Sequence, residues 1–394
     1  MSSTTPSTDV FLRNCVDFIT AEDLERKLAA GRPLRVKFGM DPSSTDLHVG
    51  HMVQLMKLRD LQEAGHQIVL IVGDATAMVG DPSGRNKLRP QLTRAAVEEN
   101  LVTYIDQARL VLDMERTEIR HNSEWFDAMD FTSLLKLTSR MTVARMLERD
   151  TFENRIKAEE PIGIHEFLYP LMQGWDSVMV EADLELGGTD QLFNLLVGRN
   201  FQEQEGQERQ ICFTLPLING LDGRKMSKSY DNYVGLTDAP NDMFGKLMSL
   251  EDAAMPTWFP LLTRLPQAEI DEVLAGHPRA AKARLATEIT TFLHDAEAAA
   301  AASDAFDRQF RDKQQPDDIP ELPWPAPGED LPLFQLIKQL GLAASSSEAR
   351  RLVKQGAVRL DGVVQDDANR ALSAPDAEVV VRVGKRRYAK LRPA

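Results

Sequence analysis

Three groups of residues have side-chain types and spacings that could do chemistry. The run "HVGH" sets His48 and His51 three residues apart, with Gly50 between them, soon after the segment "KFGMDPSSTD". Two histidines so spaced could hold a metal, act as a catalytic pair or reflect composition alone. A zinc site is disfavoured, because the run lacks the glutamate of HExxH and has no third ligand nearby. Cys15 and Cys212 have no second cysteine or histidine at zinc-ligand spacing either, so no protein-bound metal is expected. The run "GRKMSKSYDN" (223–232) carries Lys225 and Lys228 in a loop with Gly223, Ser227 and Ser229. Such a loop suits closure over a triphosphate and neutralisation of charge on departing pyrophosphate, whereas an isolated KxxK would be a solvated basic loop. In "YPLMQGWD", Tyr169, Gln173 and Asp176 are spaced by four and three, which is one face of a helix. Polar groups there either pair with polar neighbours or face a ligand. A buried Asp176 is costly unless it accepts a hydrogen bond. A phenol O–H would supply one, and a phenyl ring would leave the carboxylate unpaired.

The elements that position these residues read as an α/β sheet. "RVKF" (35–38) and "IVLIV" (68–72) are short buried strands, and "TEIRH" (117–121) and "QICFTLPLI" (210–218) are further candidates. Between the first two, "HMVQLMKLRDLQEAG" has helical spacing and stops at Gly65. His48 and His51 therefore open a helix after a strand and a turn containing Gly39, Asp41 and Pro42. In open α/β sheets that is where helix N-terminal N–H groups meet phosphate. Gly50 removes a side chain where a flat ring could lie against the backbone. Neither GxGxxG nor GxxxxGK[ST] is present, so this would be a different nucleotide-binding solution. Residues 132–158, rich in helix formers, read as an insertion or an interface. After residue 230 the texture becomes helical. The stretch 312–330, with five prolines and several acids, reads as a linker.

Charge divides the chain. Its 394 residues carry a net −14, yet residues 331–394 hold 12 Lys and Arg against 6 Asp and Glu. The remainder then has 34 against 54, an acidic body with a basic tail, which points to a polyanionic partner. In the tail, "SSSEARRLVKQGAVRLDGVV" (345–364) gives a serine-capped basic helix ending at Gly356, a strand, a turn at Asp361-Gly362 and another strand. Arg350, Arg351 and Lys354 lie within about one helical turn, and Arg382, Lys385, Arg386, Arg387 and Lys390 follow near the end. No apolar run is long enough for a membrane span, the polar start is unlike a signal peptide, and two cysteines fit a reducing compartment. A cytoplasmic protein is expected.

HxGH followed far downstream by KMSKS resembles the paired signatures of class I aminoacyl-tRNA synthetases, with Val49 a mild departure from HIGH. "VGDATAMVGDPSGR" (72–85), "YPLMQGWD" (169–176) and "GGTDQ" (187–191) are similar, more narrowly, to the tyrosyl-tRNA synthetases of bacteria, and the likeness covers nearly the whole chain. That resemblance implies a Rossmann-like parallel-sheet catalytic domain with a helical insertion (1–229), an α-helical anticodon-side domain (230–311), the linker (312–330) and a small α+β RNA-binding domain of ribosomal-protein type (331–394). It implies that Asp81, Tyr169 and Gln173 hold the substrate ammonium, that Asp176 faces the phenol, and that Gly39 and Gln191 line the same pocket. Asp41 and Ser43 would seat substrate and phosphate, while Gly188 and Asp190 would lie near the ATP ribose. His48, Gly50 and His51 would face ATP together with Lys225, Met226, Ser227, Lys228 and Ser229, and Arg85 and Arg89 would lie near pyrophosphate. Lys37 stands where many tyrosyl enzymes have a tyrosine, although another branch has lysine; it either touches substrate or pairs with a carboxylate. The implied partners are L-tyrosine, ATP with Mg2+ on its triphosphate, tRNA(Tyr) and a second copy of the chain. The rivals are a tryptophanyl enzyme, which Asp176, GDPSGR and the tail disfavour, a non-catalytic RNA-binding paralogue, and a nucleotidylyltransferase using HxGH alone.

Overall fold

Short runs rich in Val, Ile and Leu become the strands of a sheet: β1 (Phe18–Ile19), β2 (Arg35–Met40), β3 (Gln67–Val72), β4 (Thr117–His121), β5 (Leu184–Gly188) and β6 (Ile211–Leu215). The computed structural model describes residues 8–42, 46–83, 93–227, 230–310, 319–326, 328–384 and 387–392. The sheet order is β1-β6-β5-β2-β3-β4, parallel throughout except for β1. From β2 the chain winds outward through β3 and β4, then returns to the other side of β2 for β5 and β6. The winding direction therefore reverses between β2 and β5, and the crevice at their carboxyl ends is where such sheets bind ligands. The strand β5 was not among the expected ones. Its "LELGG" sequence has an acid and two glycines, and it is buried only because Glu185 is paired inside.

The helix Val49–Glu63 follows β2 and buries residues on all sides, including Met52, Val53, Leu55, Leu58 and Leu61. It ends as the glycine suggested. Gly65, at φ +93°, donates to the Gln62 carbonyl (3.1 Å) and His66 to that of Leu61 (3.0 Å), the paired bonds of a left-handed helix stop. The insertion is helical, with helices at Phe131–Thr138, Val143–Met146 and Asp150–Lys157. The helices after residue 230 do not form a separate body. They share one compact unit, Met1–Asp304, with the sheet. Backbone bonds from Val49 to Val234 and from Leu236 to Leu47, and ion pairs of Arg264 with Asp60 and Glu63, join the two parts.

The second unit, Ala305–Ala394, contains β7 (Glu321–Leu322), β8 (Leu331–Pro332), β9 (Val358–Leu360), β10 (Val363–Gln365), β11 (Ala371–Leu372), β12 (Val379–Val383) and β13 (Arg387–Leu391). Its main sheet runs β10-β9-β12-β13-β7. The helix Ser346–Lys354 is capped by Ser345, and Asp361 (φ 46°) with Gly362 (φ 82°) makes the tight hairpin turn. The core includes Leu333, Ile337, Val353, Val358 and Val381. The expected linker requires correction. Glu321–Leu322 pairs with β13 and Trp324 is only 7% exposed, so this part of 312–330 belongs to the second unit. Its aromatic and leucine side chains found an apolar core that its proline content concealed.

A buried charge pair ties β2 to β5. The Lys37 ammonium, fully buried, donates to Glu185 Oε1 (2.8 Å), Ser177 Oγ (2.7 Å) and the Gln173 carbonyl (2.7 Å). Those three bonds use all three of its hydrogens. Lys37 therefore pairs with a carboxylate, and its ammonium has no donor left for a substrate. Glu185 also accepts from Gln173, Ser177 and Gln210. Lys37→Met should destabilise the first unit by about 3–5 kcal/mol, because it leaves Glu185 charged and unmatched. Lys37→Met with Glu185→Gln should recover most of that loss in urea unfolding; no recovery would mean that lost packing, not charge, is responsible.

Candidate active site

The two histidines begin with a structural task. His48 is the N-cap of the helix Val49–Glu63, and its Nδ1 accepts from the Gly50 N–H (3.1 Å). His51 Nδ1 accepts in turn from the His48 N–H (3.2 Å), which closes a reciprocal capping box. The rings lie 4.0 Å apart at 35°. With both Nδ1 atoms accepting, a neutral ring carries its proton on Nε2, so each imidazole presents a donor beside a helix N-terminus. A Cβ on Gly50 would come within 2.9 Å of the His48 ring and 3.3 Å of Met226 Sδ. Glycine is thus required for close packing here, and Met226 of the KMSKS run is brought against HVGH. Among the described residues no group of three or more His, Cys, Asp or Glu is placed to hold a metal.

The loop is fastened by a residue that had no assigned role. Asn232, 3% exposed, accepts from Ser227 N–H (2.8 Å) and donates to the Lys225 carbonyl (3.1 Å) and Asp222 (2.7 Å). Its bonds fix the backbone on either side of Met226 while the Lys225 side chain stays exposed. Lys228 and Ser229 lie outside the described residues, as do Ser43, Arg85 and Arg89.

Across the crevice, Lys37, Gly39 and Asp41 alternate onto one side of the chain through β2. A Cβ at Gly39 would meet nothing within 4 Å, so the chain borders open space there. Asp41 accepts from Tyr169 Oη (2.7 Å) and Thr76 Oγ1 (2.8 Å), and a side chain at Gly73 would collide with it. Gln173 is held at both ends, donating to Glu185 (3.0 Å) and accepting from Asn194 (2.8 Å). Asp81 accepts from Ser83 N–H (2.8 Å) and lies 3.6 Å from an Arg149 nitrogen. Asp190 lies in the turn Thr189–Gln191 after β5, and burial, reinforced by the charge of Asp81, raises its pKa while Lys225 opposes the shift. Gln191 caps that turn by accepting from Gly188 N–H (3.0 Å).

Asp176 is the exceptional group. It is 3% exposed, and burial pushes its carboxyl up to about 7 despite the positive charge of Lys37 and hydrogen bonds from Asn122 and Trp125. Trp125 Nε1 donates to Oδ1 (2.9 Å) and Asn122 Nδ2 to Oδ2 (3.3 Å). This corrects the expectation that the carboxylate depends on a ligand for any partner. Two donors leave capacity on a group with about four acceptor positions. Asn122 and Trp125 follow β4, and the rule that ligands gather at strand carboxyl ends was the available signal for them. Nothing in the sequence marked Glu185 or Arg149.

In the second unit, Arg351 and Lys354 are exposed on their helix. Arg350 donates to Asn369 (2.7 Å), and its guanidinium stacks 3.6 Å from the Phe334 ring centroid. Arg382 donates to the Gly384 carbonyl, Arg387 to the Leu342 carbonyl and Glu348, and Lys390 pairs with Glu378. Lys385 and Arg386 lie outside the described residues.

Residues 29–311 match the family model described as tRNA synthetases class I (W and Y), and residues 331–379 match the S4 domain. The chain is 51% identical over 387 residues to a tyrosine–tRNA ligase of Oleidesulfovibrio alaskensis, covering 96% of this chain and 97% of that one. It is 49% identical to a tyrosine–tRNA ligase of Ralstonia nicotianae, covering 97% and 99%. Among solved structures, the tyrosyl-tRNA synthetase of Archaeoglobus fulgidus complexed with L-tyrosine is similar with a TM-score of 0.60 at 25% identity, over 75% of this chain and 98% of that one. A truncated mitochondrial tyrosyl-tRNA synthetase of Aspergillus nidulans has the same fold, with a TM-score of 0.63 at 24% identity over 76% and 93%.

The raised carboxyl has a sign that can be tested without any ligand. Folding shifts the Asp176 pKa upward, so the protonated form is favoured in the fold and stability contributed by that proton declines as pH rises towards about 7. Because Trp125 donates to this carboxylate, its fluorescence should change with a midpoint near 7, and Asp176→Asn should abolish the step. An identical titration in the variant would assign the step elsewhere.

Proposed function

The chain belongs to the class I tRNA synthetases of the tryptophan and tyrosine group, and we infer that it is a tyrosine–tRNA ligase. It activates L-tyrosine with ATP and transfers it to the 3′-terminal adenosine of tRNA(Tyr). The observation that carries tyrosine over tryptophan is Asp176: a buried carboxylate with acceptor capacity, which a phenol O–H answers and an indole of different shape and donor position does not.

A tyrosine carboxylate oxygen attacks the α-phosphorus of ATP, the bond to the β-phosphate bridge breaks, and pyrophosphate leaves with that electron pair. The terminal ribose hydroxyl of the tRNA then attacks the activated carbonyl and AMP departs. No protein nucleophile is required. The HVGH helix offers phosphate two imidazole donors and a positive helix end, and Lys225 and Lys228 meet charge that grows on pyrophosphate. Mg2+ arrives on the triphosphate as part of that substrate. Asp81 receives the tyrosine ammonium, Tyr169 and Gln173 border it, and Asp190 and Gly188 face the ribose. The family resemblance assigns Arg85 and Arg89 to pyrophosphate and Ser43 to phosphate. The second unit binds the tRNA; exposed Arg351 and Lys354 support that role, while Arg382 and Arg387 each direct one guanidinium nitrogen to a backbone carbonyl.

Exposed apolar residues in and beside the insertion support a homodimer. Phe131 is 74% exposed, Leu135 52%, Val143 64% and Ile164 84%, an apolar surface of the kind that subunit contacts cover. No helix among the described residues is long and apolar enough to cross a membrane. The place of action is the cytoplasm, where tRNA is charged.

Tyrosine should drive ATP–pyrophosphate exchange, with phenylalanine poorer by about 10- to 100-fold or more, the worth of a hydrogen bond to a charged group. Exchange with tryptophan equal to that with tyrosine would overturn the assignment. A chain ending at residue 318 removes β7 along with the rest of its sheet. It should keep exchange and lose most tRNA charging, and in the full chain tRNA affinity should fall steeply with salt while exchange changes less. Full charging by the shortened chain would show the second unit to be dispensable.

A further inference from the structure

Arg149 enters the crevice from the insertion, at the N-cap of the helix Asp150–Lys157, and is only 3% exposed. One terminal nitrogen, Nη2, donates to Ser83 Oγ and lies 3.6 Å from Asp81 Oδ1. The other, Nη1, and Nε are buried and have no hydrogen-bond partner among the described residues. Three of the five guanidinium hydrogens are therefore unmatched, on a side chain that retains its charge. The guanidinium carbon sits 5.4 Å from the Phe152 ring centroid, which orients the group. Asp81, Tyr169 and Asp190 lie close enough to affect it electrostatically, and burial lowers its pKa against their influence. A buried, two-pronged, incompletely satisfied guanidinium is suited to an oxyanion that arrives with a ligand.

The identity of that anion follows from covalent geometry, given the preceding assignment of the tyrosine ammonium to Asp81. An α-amino acid carries its carboxylate on the same carbon as its ammonium. A cation 3.6 Å from the ammonium's partner is thus within reach of the carboxylate. We propose that Arg149 is a substrate-binding residue of the activation step, with Nε and Nη1 holding the tyrosine α-carboxylate while Asp81 holds the ammonium. The two side chains then form a charge pair complementary to the zwitterion. One carboxylate oxygen remains directed to the α-phosphorus as the bond to pyrophosphate breaks, and the same guanidinium faces the carbonyl oxygen of the resulting anhydride.

A simpler role would be that of counter-ion to Asp81 alone. Tyrosinol separates the two, because it keeps the phenol and ammonium but has CH2OH in place of the carboxylate. The measurement is the dissociation constant of tyrosine and of tyrosinol for the full-length protein, for Arg149→Met and for Arg149→Lys. Tyrosine should bind Arg149→Met about tenfold more weakly or worse, while tyrosinol stays within about twofold. Arg149→Lys should lose part of the same selectivity, since it keeps charge but not the fork; it decides the matter if Arg149→Met does not fold. Equal losses for both ligands, or no loss for tyrosine, would overturn the proposal. Failure of the unaltered protein to prefer tyrosine over phenylalanine would instead overturn the functional reading on which this inference rests.

Discussion

Burial of charge at the reversal point of the sheet is the constraint on which the rest depends. Lys37 and Glu185 sit on adjacent parallel strands, fully shielded from water, and each is satisfied only by the other together with Gln173, Ser177 and Gln210. Such a pair adds little net stability compared with apolar residues, yet leaving either member alone is expensive. It therefore specifies arrangement. Register between β2 and β5 and the position of the helix Leu168–Met179 are tied to one set of hydrogen bonds. The same helix carries Tyr169, Gln173 and Asp176, so the network aligns the side chains that face the crevice. Lys37 also lends positive charge to Asp176, moderating a shift that burial would otherwise make larger.

A second device lies at the opposite wall. Four N–H groups at a helix start lack partners within the helix. Here two of the N–H groups at that start are answered by imidazole nitrogens, which turns His48 and His51 so that their remaining nitrogens are donors. One pair of residues thereby ends a structural problem and presents two imidazole donors beside the helix N-terminus, the surface proposed to meet phosphate. Gly50 is the condition for both, because any side chain there would displace the His48 ring and Met226. Pairing of His48 with Gly235 extends the arrangement to the segment that follows KMSKS.

How much of this was legible depended on the range of the interaction. The strands at 35–38, 68–72 and 117–121, the Gly65 helix stop and the Ser345-capped helix were readable because short apolar runs, caps and left-handed glycines act locally. HVGH and KMSKS were readable as signatures of the family, which the family match over residues 29–311 bears out. Glu185 was not, because an acid inside "LELGG" looks like a loop until Lys37 is placed beside it. Arg149 was not, because the insertion that supplies it is remote in sequence from Asp81. The acidic, proline-rich stretch misled in part: Glu321–Leu322 and Trp324 become ordered against a sheet whose partner strand, β13, comes more than one domain element later. The polar face of Tyr169, Gln173 and Asp176 was visible, but its partners come from two other segments, Asn122 and Trp125 from the one after β4 and Asn194 from the helix after β5.

Burial poises the Asp176 carboxyl near neutrality, and on the proposed reading it becomes an ionised acceptor when the phenol of tyrosine reaches it. Protonation and binding are then linked, and the link can be counted. Calorimetric titration of tyrosine at pH 6, in buffers of different ionisation enthalpy, reports the protons exchanged on binding. Release of most of one proton at pH 6, diminishing to none above about pH 8 and absent in Asp176→Asn, is the expected result for a group titrating near 7. Binding of tyrosine with no proton release at pH 6, or with the same release in Asp176→Asn, would contradict it.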